Sequence, residues 1–208
     1  MKNTLRLLSI GIFSIFLFAC STLPKDSTSD FNLKTQQKRI KSLKDWQIKG
    51  RMAFKSETQK NFSAYISWIQ QKEQYDFSMN TLLGVSLLKL KGDDDFATIT
   101  VDDETQNSNA PNQLIEALTG WDIPLLSMKD WIKGMPDNQS KPNRVLNKSL
   151  DNTTELDDLG RISSFQHNSG WHITYNGYRR IKDHWLPHQV ILKSATSQIK
   201  IRITEWTI

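Results

Sequence analysis

The chain has 208 residues, 38% of them hydrophobic, and a formal net charge of +5. That length suits one domain, and so mild a positive charge excludes the dense basic surface of a nucleic-acid binder. There is one cysteine, which excludes an intramolecular disulfide, so the fold has to rest on its apolar core.

Lys2 and Arg6 open the chain, an apolar run extends from Leu7 to Phe18, and Ala19-Cys20 closes it. A membrane-spanning helix needs about 20 apolar residues, more than this run offers, and a plain secretory signal needs no terminal cysteine. The arrangement resembles a bacterial lipobox, although Phe18 stands where smaller residues are usual. Residues 1–19 are therefore expected to be a lipoprotein signal peptide. Cys20 then becomes the first mature residue and carries a covalent N-acyl diacylglyceryl lipid, with no other cofactor; the plainer alternative is an uncleaved interfacial anchor. Loss of Lys2 and Arg6 lowers the charge to +3. Ser21 replaces the aspartate that commonly marks inner-membrane retention, so the address looks like the outer membrane, with the protein facing the periplasm. Residues 20–30 read as acylated N-terminus and linker, about 35 Å long if fully extended, and residues 31–208 as a single domain.

Phe31 to Lys44 is expected to be helical, after a Ser27-Thr28-Ser29-Asp30 capping cluster and with Leu33, Ile40 and Leu43 on one face. Its Lys34, Lys38, Arg39, Lys41 and Lys44 read first as a solvated face and alternatively as an attraction to anionic lipid. From Trp46 the apolar period becomes two, the mark of half-buried strands. Trp46, Ile48, Gly50, Met52 and Phe54 begin it. Phe62, Ala64, Ile66 and Trp68 follow, then Tyr75, Phe77 and Met79, then Leu88 and Leu90, then residues 96–101. A second set comprises Ile162 to Gln166, Trp171-Ile173-Tyr175, Val190-Leu192 and Ile199-Ile201-Ile203. Between the sets, Asn112 to Thr119 and Met128 to Lys133 are expected to be short helices, the second capped by Ser127. Residues 137–160 are polar and read as a long surface excursion. The pattern predicts an α+β, mainly β fold: an open, strongly curved antiparallel half-barrel with a helical lid on its concave face.

Catalytic signatures are missing. The chain has no P-loop and no Gly-x-Ser-x-Gly, and its four histidines lack the partners of a zinc site, so it is read as no enzyme. Its seven tryptophans read most simply as an aromatic core. The alternative is an apolar cavity for acyl chains, lined by Trp46, Ile48, Met52, Phe54, Ile66, Trp68, Phe77, Leu90, Trp121, Trp131, Trp171 and Ile173. Asn80 to Ser86 raises a similar choice. Periodicity alone packs Leu82 and Leu83 inside at a strand end, whereas a hairpin around Gly84 exposes Leu82, Leu83 and Val85 to lipid or a partner.

Three stretches together are similar to the outer-membrane lipoprotein receptor family LolB: Trp46 to Phe54, the Leu-Leu-Gly loop, and Leu118-Thr-Gly-Trp-Asp-Ile-Pro-Leu125 followed by Trp131-Ile-Lys-Gly-Met-Pro136. The resemblance runs in order along nearly the whole mature chain. It implies a half-barrel capped by helices and a monomeric receptor on the inner leaflet of the outer membrane. Such a receptor accepts acylated lipoproteins from a periplasmic chaperone of the LolA type and delivers them through the leucine of its apolar loop. Leu82 and Leu83 compete for that part, since the loop is one residue longer than the family's usual Asn-Pro-Leu-Gly. A tethered envelope-assembly scaffold with no acyl cavity is the competing expectation.

Overall fold

A computed structural model describes residues 31–136 and 154–208. The signal peptide, Cys20 and the linker expected over residues 1–30 lie outside the described residues, as does the 137–153 part of the polar excursion.

Helix α1, Leu33–Ser42, buries Gln36 and Ile40. Its cap is Asn32, whose side-chain oxygen accepts the Thr35 N–H at 2.9 Å, rather than the Ser27–Asp30 cluster. Asn32 is itself extended (φ −120°, ψ 113°), which is the conformation a helix-capping residue requires. The strands of the first set are β1 (Asp45–Ser56), β2 (Phe62–Gln71), β3 (Gln74–Asn80), β4 (Ser86–Gly92), β5 (Ala97–Val101) and β6 (Glu104–Ser108). Helices α2 (Pro111–Thr119) and α3 (Leu125–Trp131) follow. The second set is β7 (Thr154–Leu156), β8 (Ile162–Gln166), β9 (His172–Asn176), β10 (Arg179–Ile181), β11 (His184–Leu186), β12 (Gln189–Lys193) and β13 (Ser197–Thr207).

Eleven strands form one curved antiparallel sheet in the order β6-β5-β4-β3-β2-β1-β13-β12-β9-β8-β7, and β10 and β11 make a separate hairpin. The sheet does not close, since β6 and β7 are not paired with each other. The alternation read from the sequence is the alternation of burial: Trp46, Ile48, Met52, Phe54, Ala64, Ile66, Trp68, Phe77, Leu90, Ile199 and Ile201 all face one core. Four strands escape a search for apolar periodicity. β6 is polar and almost wholly exposed, and β7, β10 and β11 have three residues each.

The two long central strands, β1 and β13, pair from Gln47↔Thr207 to Ser56↔Ser197, with a bulge at Lys49/Gly50. There the backbones approach so closely that a Cβ on Gly50 would lie 2.3 Å from the Arg202 carbonyl oxygen. Backbone at that distance cannot swing aside as a side chain can. Gly50→Ala should therefore cost about 2–4 kcal/mol and lower the unfolding midpoint by roughly 5–10 °C. Thermal unfolding followed by circular dichroism checks this, and an unchanged midpoint would contradict it.

The insert folds as two helices. α2 starts with Pro111 and ends at Gly120, which is left-handed (φ 74°), a backbone conformation glycine takes without steric cost. α3 begins at Leu125, two residues before the Ser127 expected as its cap: the Pro124 carbonyl accepts the Met128 N–H at 2.9 Å and starts the helix first. Ile115, Ile123, Leu125, Met128, Trp131 and Ile132 are each 3% exposed or less, so the insert covers the concave face. Tyr175 on β9 ties it down by donating a buried hydrogen bond to the Trp131 carbonyl at 2.7 Å.

Candidate functional site

Two features survive once the core is accounted for: an apolar tip at one end of the sheet, and the interface between sheet and helical layer.

The tip is the β3–β4 connection. Thr81 donates its N–H to the Val85 carbonyl at 2.8 Å and accepts the Gly84 N–H at 3.0 Å. Its hydroxyl accepts the Val85 N–H at 3.1 Å. With these bonds closing the base and Gly84 at φ +83°, the apolar residues have no inward path. Leu82 is 73% exposed, Leu83 93% and Val85 62%. Packing inside, which periodicity alone favours, is therefore overturned: the turn's own hydrogen bonds end β3 at Asn80. Both leucines project, and Leu83 projects furthest.

The residues expected to line a cavity do meet on the concave face. Trp46, Ile48, Met52, Phe54, Ile66, Trp68, Phe77, Leu90, Trp131, Trp171 and Ile173 are all 4% exposed or less. Trp121 is half-buried and packs against Phe62 with ring centroids 4.1 Å apart and the rings tilted by 33°. In this state, however, the space between sheet and insert is filled by the protein itself. The strand side chains and those of α2 and α3 form one continuous cluster, with Trp131 edge-on to Phe165. The concave apolar face expected to bound a cavity is thus closed over by α2 and α3 in this state. The indole N–H groups of Trp68 and Trp131 have no hydrogen-bond partner among the described residues.

A polar contact holds that layer at one end. Lys129 of α3 reaches both carboxylate oxygens of Asp94, in the β4–β5 turn, at 2.7 Å each. The pair is partly exposed, with side chains 18% and 49% accessible, so it contributes no more than about 1 kcal/mol. Lys129→Gln should leave the sheet intact yet raise the binding of an apolar fluorescent dye severalfold, by loosening α3. Dye binding equal to that of the unaltered protein would show that the contact is no latch.

His167 contacts Ser169 and the Trp131 ring. Burial pushes the His184 and His188 imidazoles below their usual range. Among the described residues no group of three His, Cys, Asp or Glu stands close enough to hold a metal, and no helix is long and apolar enough to cross a membrane.

Comparison with known proteins agrees with this anatomy. The family model described as outer membrane lipoprotein LolB matches residues 44–206. The outer-membrane lipoprotein LolB of Aeromonas hydrophila is 28% identical over 212 residues, covering 100% of this chain and 99% of its own. That of Shewanella frigidimarina is 26% identical, covering 99% and 96%. Among solved structures, a LolA superfamily protein from Nitrosomonas europaea superposes with a TM-score of 0.53 over 86% of this chain and 94% of its own, at 9% identity, a likeness of fold. With its curved, unclosed sheet, its helical cover and a family match over most of its length, the chain belongs to the LolB family of outer-membrane lipoproteins.

Proposed function

We propose that this protein is a receptor anchored to the outer membrane by acylated Cys20, which accepts acylated lipoproteins from a periplasmic chaperone of the LolA type and inserts them into the inner leaflet without nucleotide hydrolysis. The observation that carries this reading is the tip: two adjacent leucines held out in solvent on the sheet of a LolB-family chain. Such exposure is costly unless something apolar meets it.

Physical magnitudes shape the mechanism. Burial of a methylene is worth about 0.8 kcal/mol, so a long acyl chain represents on the order of 10 kcal/mol and does not cross water unaided. Transfer then runs from the chaperone's interior directly into this protein's, as α2 and α3 swing off the concave face and acyl chains replace their side chains against Ile48, Met52, Phe54, Ile66 and Phe77. Because cargo exchanges one apolar packing for another, opening need cost little net free energy once the acyl chain is in place. Direction comes from rising affinity, from chaperone to receptor to bilayer. Leu82 and Leu83 enter the membrane surface and provide the point of release.

The filled interior favours a second reading, a tethered scaffold of envelope assembly that carries no acyl chain. One experiment separates the two. Acyl-less protein is mixed with lipoprotein-loaded chaperone, the two are resolved, and the cargo is followed. Cargo on this protein supports the receptor; cargo retained wholly by the chaperone supports the scaffold.

A further inference from the structure

The concave face is apolar along most of its height but not at the end far from the leucine tip. There, neighbouring strands place Trp46, Gln70 and Tyr75 side by side in one rung, through the pairs Trp46↔Gln70 and Gln70↔Tyr75. Trp46 is 4% exposed, Gln70 2% and Tyr75 4%. Each has a polar atom with no hydrogen-bond partner among the described residues: the Trp46 indole N–H, the Gln70 side-chain oxygen and the Tyr75 hydroxyl. Leaving a buried polar group unpaired costs about 1–3 kcal/mol, so three in a row call for a partner.

Trp46 and Gln70 form part of the wall of a recess of about 240 Å³, which also receives Lys41, Lys44, Lys72, Lys129 and Lys133. A water molecule's share of liquid volume is about 30 Å³, so this space suits a group of several heavy atoms. Three of the lysines are matched: Lys44 with Glu73, Lys129 with Asp94 and Lys133 with Asp130. Lys41 and Lys72 form no ion pair among the described residues. Lys41 comes from α1 and Lys72 from the β2–β3 turn. Tyr75 stands behind Gln70 and does not itself line the recess; burial first, then Asp94 and Asp93, push its hydroxyl up to about 12, so it stays protonated.

We propose that this recess binds a phosphate ester, with Lys41 and Lys72 on the phosphate oxygens; the Trp46 indole N–H and the Gln70 side-chain oxygen lie buried behind its wall and become further partners only if the ligand displaces the side chains that cover them. A tetrahedral phosphate offers acceptors toward several walls at once, which a planar carboxylate does not, and lysine serves it well as a point charge. The ester is either a phospholipid headgroup or a soluble phosphate; the chemistry is shared.

Glycerol 3-phosphate titrated calorimetrically into the full-length protein in neutral detergent should bind saturably, while glycerol should not bind. Lys41→Gln combined with Lys72→Gln should weaken binding at least about tenfold with the unfolding midpoint unchanged. Mixed micelles containing phosphatidylglycerol then fix the source: displacement of glycerol 3-phosphate identifies a lipid headgroup, and lack of displacement a soluble ester. The proposal is overturned if glycerol 3-phosphate shows no saturable binding, or if the double substitution leaves binding unaltered.

Discussion

Replacing Leu82 and Leu83 together by glutamate is expected to abolish delivery of lipoprotein to liposomes while leaving acceptance from the chaperone at its original rate. Both side chains stand in solvent, 73% and 93% exposed, and such surface substitutions change stability by no more than about 0.5 kcal/mol. Membrane contact is another matter. Burying a leucine contributes about 1.5–3 kcal/mol, so losing two removes about 3–6 kcal/mol, a factor of roughly 10² to 10⁴ in partition. The carboxylates add a further penalty for any charge pressed into hydrocarbon. The measurement is release of preloaded cargo into liposomes, with the unfolding midpoint as a control. Release at the unaltered rate would remove the tip from the mechanism.

A second large effect is expected from fastening the helical layer to the sheet. Phe62 on β2 and Trp121 between α2 and α3 pack with ring centroids 4.1 Å apart, so cysteines at these two positions lie within reach of a short cleavable bis-maleimide. In a Cys20→Ala background the cross-linked Phe62→Cys/Trp121→Cys protein should take up no cargo, and cleavage of the linker should restore uptake. The uncross-linked double variant controls for loss of the packing itself. Undiminished uptake by the fastened protein would mean that acyl chains never pass beneath α2 and α3. The packed core described here would then be the functional state, as the scaffold reading requires.

How much of this was legible in the residues follows from how each feature is made. Trp46 to Phe54 announces itself because a sheet with one buried face imposes period two on its own sequence, and β1 shows that period over its whole length. α2 was equally plain between Pro111 and Gly120. β6 was not, because Glu104 to Ser108 is an exposed edge strand and nothing there needs to be apolar. α3 begins before its apparent cap because a backbone carbonyl, which leaves no trace in composition, started the helix at Pro124. The direction of Leu82 and Leu83 was decided by the hydrogen bonds of Thr81, where local hydrophobicity pointed the other way. The lysine recess was invisible for a different reason: its walls come from residues 41–46, 70–73 and 129–136, three segments that only the folded chain brings together. Its solvated-looking lysines belong in part to the basic stretch of α1.

β3 runs from Gln74 to Asn80, with the β2–β3 turn and its Lys72 at one end and the Leu82–Leu83 tip at the other. Seven residues of strand measure roughly 20 Å. The molecule therefore has a greasy pole and a cationic pole, separated by most of a leaflet's thickness. Standing on the first lifts the second clear of that surface. A body that touches a bilayer with one of these poles holds the other away from it, and has to turn over to exchange them.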